Sequence, residues 1–402
     1  MSTTSSLDFS ALDVTRKLYV SGLYDIGPEF NRTKFNRLHY GTRLSDLRHV
    51  VIKRSNMTEL NKRKDLTCMA TSRKRKLEHT LPDDPMHEIQ MFKKINLLGG
   101  HPNIVQFMDE YTVECKHGEF GVVEYTEWKH QVLEACGCEL FKLVSEHMCT
   151  IEMARRYFRQ LVSAVLFLHT NGIVHLDLAP ENVLLMGWGI TSPTTIEKPT
   201  RINNADDDVK LCDFGLSQLL IPLQSPPSPM SPMSSMTPVS PVSSSSTEEK
   251  KINDLASTQE GPQQQQQQHY HPIVKQGGRF GYRAPEIYSE ENKLANESDT
   301  PYDGRAVDVW ALGVILFTMY FGCPPWRIPH DSDNRYKRIV HDRQLVRLIN
   351  AWKLPSVTPE LEDLLGGIFV LDPSKRLTIV EIAAHPFVTG LGSGSSTTAT
   401  VH

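Results

Sequence analysis

The chain has 402 residues, enough for two lobes with sizeable cores and polar insertions, and a formal net charge of -4 that offers nucleic acid no attractive field. Its seven cysteines are an odd number in a chain too long to need stapling, and Cys136 with Cys138 lacks the second pair of a zinc site, so they read as thiols in a reducing compartment. The first residues lack the apolar stretch of a secretory signal, and the longest apolar run, Val309 to Phe321, is shorter than the ~20 residues of a membrane span; an intracellular protein that engages no membrane is expected.

In chain order, residues 1–17 read as a tail, and Leu18 to Lys53 is strand-like, closing on Val50, Val51 and Ile52. An ammonium ending such a strand is placed to meet nucleotide phosphates, although a lysine after three apolar residues is also an ordinary strand end. Residues 54–80 read as a basic insertion whose Arg73 to Lys76 run is a solvated loop or a nuclear import signal, so the expected location is cytoplasmic, with the nucleus as a second reading. Beyond Pro85, the residues Met86, Ile89, Phe92 and Ile95 fall at helical spacing, and Glu88 lies just off that stripe, able to reach Lys53. HPNIVQFMDEY then reads as a turn and a strand, and GVVEYTEW as a second strand running into a connector. Thr150 suits the cap of a helix carrying Met153, Tyr157, Phe158, Leu161, Val165 and Leu168 on one face, stopped by Asn171 and Gly172.

From Ile173 to Leu185 the sequence IVHLDLAPENVLL sets Asp177 and Asn182 on either side of a Pro180 turn between two short strands. A carboxylate that holds a substrate hydroxyl, followed five positions on by an amide oxygen that ligates magnesium, suits phosphoryl transfer; a polar turn between strands is the plain alternative. After a polar insertion from Trp188 to Asp207 and a strand at Val209 to Cys212, Asp213 stands where a second magnesium ligand has to lie. Residues 221–275 change to Pro, Ser and Gln, with six consecutive glutamines and Ser-Pro or Thr-Pro pairs between 225 and 241. Such a segment buries too little apolar surface to offset its ordering entropy and is expected to be disordered, its pairs suiting proline-directed kinases or readers of phosphorylated Ser/Thr-Pro. Folding resumes at GGRFGYRAPEIY, an apolar helix opens at Asp308, GCPPW breaks it, further helices run to Phe387, and residues 389–402 form a loose tail.

In this order, VVIK, the helix with Glu88, HPNIV, HLDLAPEN, DFG, GYRAPE, DVWALGVIL and DPSKRLT resemble the eukaryotic protein kinase superfamily, serine/threonine type, over residues 18–388 apart from the insertions. The resemblance implies an α+β bilobal fold, with a β-rich N-lobe at about 18–123, a mostly helical C-lobe at about 127–388, and ATP with magnesium in the cleft. It implies that Lys53 holds the α/β-phosphates and pairs with Glu88, that Asp177 accepts the substrate hydroxyl proton, and that Asn182 and Asp213 bind magnesium. Glu139 would meet the ribose, Glu124 and Thr126 would be hinge residues meeting the adenine with Val123 behind it, and Gly27 would belong to the loop over the phosphates. Glu286 and Arg376 match a structural ion pair.

Four departures stand out. Gly27 is followed by PEFNRTKFN, without the later glycines of a glycine-rich loop; Leu176 replaces the usual Arg, giving HLD for HRD; Ala179 replaces the lysine two residues after the catalytic aspartate; and Arg279 replaces a threonine that usually touches that aspartate. The implied function is ATP-dependent phosphorylation of Ser/Thr in protein substrates, and the alternative is a catalytically weak scaffold. Glu139 and Glu181 would favour arginine upstream of the acceptor, unless Glu139 only meets the ribose and Glu181 is solvated.

Overall fold

The computed structural model describes residues 23–33, 35–62, 84–119, 122–189, 200–201, 208–220, 279–287 and 302–390. The N-terminal tail, residues 63–80 of the basic insertion, the Ser-Pro segment and nearly all of the C-terminal tail lie outside that set.

The first lobe is one antiparallel sheet of β1 (Tyr24–Arg32), β2 (Asn36–Arg43), β3 (Arg48–Asn56), β4 (Phe107–Glu119) and β5 (Val122–Glu134), in the order β1-β2-β3-β5-β4. Because side chains alternate across a strand, Val50 and Ile52 enter a core with Tyr24 and Val132, while Lys53 projects to the opposite face. Strand β3 continues three residues past Lys53, and a helical turn at 57–62 buries Met57 and Leu60, so residues expected at the start of the basic insertion belong to the lobe. Helix α1 (Pro85–Leu97) starts where the Asp84 side chain accepts from Met86 N–H at 3.0 Å and Pro85 needs no partner. It buries Ile89, Met91, Phe92 and Ile95; Met86, expected in that stripe, is exposed.

Buried on the sheet is His130, which accepts a bond from Arg54 Nε at 2.9 Å; burial, then the guanidinium, push its pKa down to about 3. Burial lowers His39 and His175 as well. The unfolded chain, whose histidines titrate near ~6.5, therefore binds more protons than the folded one below that pH. Stability should fall as the pH drops from ~6.5 towards 3, and urea unfolding at pH 7.5 and 5.5 tests this: equal midpoints would contradict it.

In the second lobe, α2 (Leu140–Ser145) precedes α3 (Ile151–Thr170), capped by Thr150 and ended at Asn171. Short strands follow: β6 (Ile173–Val174), β7 (Val183–Leu185), β8 (Trp188–Gly189), β9 (Thr200–Arg201), β10 (Val209–Leu211) and β11 (Gln218–Leu219), with β7 pairing β10 and β6 pairing β11. Helix α4 (Gly304–Phe321) is long and apolar enough to cross a membrane, but with 89% of it buried it serves as the core helix of this lobe. Its cap is Asp303, whose side chain accepts from Arg305 N–H; Asp308, expected to open the helix, lies inside it and is buried.

Candidate active site

Strand β5 carries the chain out of the sheet at Glu134, and residues 135–138 cross to the second lobe. That corrects the hinge. Glu124 and Thr126 sit in mid-strand, opposite His117 and Cys115 of β4, far along β5 from the crossing, and the N-lobe runs to Glu134 instead of ending near 123. The crossing is held by Gly137 N–H to Leu185 O at 3.0 Å and Cys138 N–H to Trp188 O at 3.1 Å. Only glycine fits at 137, since a Cβ there would lie 1.6 Å from Trp188 O. The sequence signal for this crossing is the apolar pair Val132 and Leu133 beyond Trp128, which with His130 and Gln131 is buried as the strand continues.

Lys53 Nζ meets Glu88 Oε2 at 2.7 Å, joining β3 to α1. Burial pushes the Glu88 carboxyl up, and the neighbouring ammonium opposes that shift. The helix is held in place by an aromatic column: Phe107 stacks on Phe92 at 5.7 Å, Phe92 meets Phe214 edge-on at 5.1 Å, and Phe214 lies 4.9 Å from the His175 ring. With Phe214 buried in this column, Asp213 beside it is fixed by the backbone that the column anchors.

Below, His175 N–H and Leu176 N–H both donate to the Asp308 carboxylate at 2.8 Å, and His169 Nε2 lies 2.9 Å from it. These bonds hold Leu176 in a left-handed conformation, φ 65°, which turns the chain so that Asp177 follows into the cleft. The Leu176 side chain is buried, beside Leu178, Tyr282 and Val307 around a small cavity of about 10 Å³. Asn182 Nδ2 donates to Asp177 O at 2.7 Å and to Asp177 Oδ2 at 2.9 Å, which fixes the carboxylate, while its Oδ1 accepts one bond from Arg279 and keeps a second lone pair for a metal. Cys212 N–H donates to Asn182 O at 3.0 Å, bringing the Asp213 end of β10 alongside Asn182. One carboxylate and one amide oxygen are the hard donor set that magnesium takes when substrate phosphates and waters complete its shell, so Asp213 and Asn182 fit that ion.

Arg279 enters this group from the far side of the chain. Its Nη2 donates to Asn182 Oδ1 at 3.3 Å, Nη1 lies 3.1 Å from Glu181 Oε1, and Nε lies 3.9 Å from Asp177 Oδ2. Glu181 is thus paired through Oε1 within the protein, and its Oε2 has no hydrogen-bond partner among the described residues. Glu139, at the start of α2, is exposed on the rim; partial desolvation and the Glu181 charge push its pKa up, and Arg279 holds it back. Away from the cleft, Arg376 grips Glu286 bidentately at 2.7 and 3.0 Å.

Strand β1 ends at Arg32 and pairs there with Arg37 of β2, so Gly27, five residues earlier in β1, is not at the reversal. Thr33 N–H donates to Asn36 O at 2.8 Å and Asn36 N–H to Thr33 Oγ1 at 3.1 Å. These two bonds close the ends of the turn with a threonine and an asparagine, where a glycine-rich loop would carry glycines.

Comparison with known proteins matches the protein kinase domain to residues 55–240 and 243–388. Among curated relatives, CBL-interacting serine/threonine-protein kinase 5 of Arabidopsis thaliana is 25% identical over 368 residues, 91% of this chain and 58% of its own. Calcium-dependent protein kinase 29 of the same plant is 25% identical over 373 residues, 92% of this chain and 49% of its own. Sperm motility kinase 3A of Mus musculus is 28% identical over 303 residues, 74% of this chain and 41% of its own. The chain spans about half the length of these relatives. With five strands over a helical lobe, an ammonium–carboxylate pair bridging sheet and helix, and a kinase-domain match over most of its length, this chain belongs to the protein kinase family.

Proposed function

We propose that this chain is an active serine/threonine protein kinase, transferring the γ-phosphoryl group of ATP to hydroxyls of protein substrates, with cytoplasm as its place of action. The observation that carries the proposal is the closed Lys53–Glu88 pair at 2.7 Å together with the buried Phe214 column, an assembled catalytic geometry that a scaffold has no need to keep. Adenine would lie against the backbone of the crossing at 134–136, and Lys53 would neutralise the α/β-phosphates. Asp177, fixed by Asn182, would orient the acceptor hydroxyl and take its proton. Magnesium, held by Asp213 and Asn182, would neutralise charge on the β- and γ-phosphates. Magnesium-dependent transfer from labelled ATP to a generic protein substrate, abolished in Asp177→Asn, tests this. ATP binding without transfer would favour the scaffold reading, which draws support from the internally bonded Thr33–Asn36 turn.

That turn gives a prediction of its own. Because no glycine lies between Gly27 and β2, ATP should bind with a dissociation constant above ~10 μM, towards the weak side of common substrate affinities, as titration calorimetry would measure. A second expectation concerns regulation. An arginine before the catalytic aspartate would be a cation awaiting a phosphorylated partner, whereas Leu176 is apolar and buried. Phosphatase treatment should therefore leave basal activity within about twofold; a loss of tenfold or more would contradict it.

A further inference from the structure

We propose that Arg279 supplies the cation that faces the transferred phosphoryl group, the charge that the catalytic loop itself lacks. The inference rests on the kinase reading above. Between Asp177 and Asn182 the loop runs Leu178, Ala179, Pro180, Glu181, with no basic residue, and Ala179 is fully buried. Two carboxylates thus stand where an acceptor oxygen must approach a phosphoryl group that is itself negative, and an anionic transition state there needs a positive partner. Lys53, across the cleft, is bound to Glu88.

Arg279 meets that need by geometry. Its guanidinium reaches Asn182, Glu181 and Asp177 at 3.3, 3.1 and 3.9 Å, so it stands over the loop at the place where hydroxyl and phosphoryl group would meet. A guanidinium has five N–H donors, and these three contacts engage at most three, leaving an N–H on each terminal nitrogen for phosphoryl oxygens. The side chain is 42% exposed, accessible from solvent. Its backbone is preset: Arg279 O accepts from Tyr282 N–H at 3.0 Å and from Arg283 N–H at 3.2 Å, and Gly281 O accepts from Trp326 Nε1 at 3.2 Å, tying the turn to the second lobe. In the step, the acceptor oxygen bonds to the γ-phosphorus, the bond from γ-phosphorus to the β-bridging oxygen breaks with its electron pair leaving on ADP, and the hydroxyl proton passes to Asp177. Arg279 is unchanged and offsets the charge on the transferring group.

The same geometry allows a plug instead, a guanidinium that blocks Asp177, and the test separates the two. Arg279→Thr should lower kcat at least ~100-fold with ATP affinity unchanged, Arg279→Lys should retain more activity, and Ala179→Lys combined with Arg279→Thr should recover most of it by moving the cation onto the loop. Binding of magnesium ADP with aluminium fluoride, a mimic of the transferring phosphoryl group, should weaken at least ~10-fold in Arg279→Thr while ADP alone binds as before. Wild-type or higher kcat in Arg279→Thr would overturn the proposal, as would a folded variant that neither the relocated lysine nor added guanidinium rescues. Should the unmodified chain bind ATP without transferring phosphate, the kinase reading fails separately; the aluminium fluoride comparison still decides Arg279, equal affinities refuting it.

Discussion

Asp213→Ala is expected to reduce phosphoryl transfer at least ~100-fold while leaving the fold intact, because it removes a charge aimed at the metal and triphosphate in a cleft that largely excludes water. The Asp213 side chain caps no helix and belongs to no structural ion pair among the described residues; its backbone is placed by β10 and by Phe214 in the aromatic column, both of which survive the change. Asp213 sits at φ 65°, a left-handed conformation that aspartate tolerates better than alanine, so the unfolding midpoint should fall only by the equivalent of about 1 kcal/mol. Lys53→Ala should cost as much activity but also stability, since it strands the Glu88 carboxylate, 2% exposed, in the interior. Steady-state kinetics beside thermal melts would separate the two effects, and full activity in either variant would refute the site as assigned.

How much of this was legible in the sequence depended on how local each feature is. Asp177 and Asn182 lie five residues apart in one stretch, and one hydrogen-bonded turn brings them together, so their spacing suggested the pair and the ordered motifs around it decided between that and a plain polar turn. Lys53 and Glu88 could be paired because each sits on an element with a clear period, a strand ending in β-branched residues and a helix with an apolar stripe. The hinge was misplaced because the strand was read to end at Trp128 and the family's hinge positions were laid onto it, whereas β5 runs on to Glu134, its charged residues being tolerated where one face of a sheet meets water. Gly27 was misplaced for a related reason: a lone glycine marks no particular turn, and only the pairing of β1 with β2, Arg32 opposite Arg37, puts the reversal beyond Arg32. The engagement of Glu181 and Asn182 by Arg279 spans about a hundred residues of chain, beyond the reach of any local pattern.

Asp308 is where the sequence reading and the structure part most usefully, because a helix cap and an anchor of the catalytic loop predict different losses. As a cap, Asp308 would be worth about 1 kcal/mol and its removal would leave chemistry alone. Asp303 holds that place, so Asp303→Ala should lose about 1 kcal/mol and little activity. Asp308→Ala instead deletes the acceptor of His175 N–H and Leu176 N–H, both buried, and each stranded amide costs about 1–3 kcal/mol. It also removes what holds Leu176 in its left-handed conformation, itself unfavourable by about 1–2 kcal/mol, so the loop can relax and carry Asp177 away from Asn182. A loss of about 3 kcal/mol or more in urea unfolding is expected, together with at least a ~10-fold drop in transfer from the displaced base. Asp308→Asn should rescue little, since its amide oxygen can serve one of the two N–H groups while its own NH₂ is turned towards the other. An Asp308→Ala protein as stable and active as its Asp303→Ala counterpart would show that the loop keeps its shape without the carboxylate.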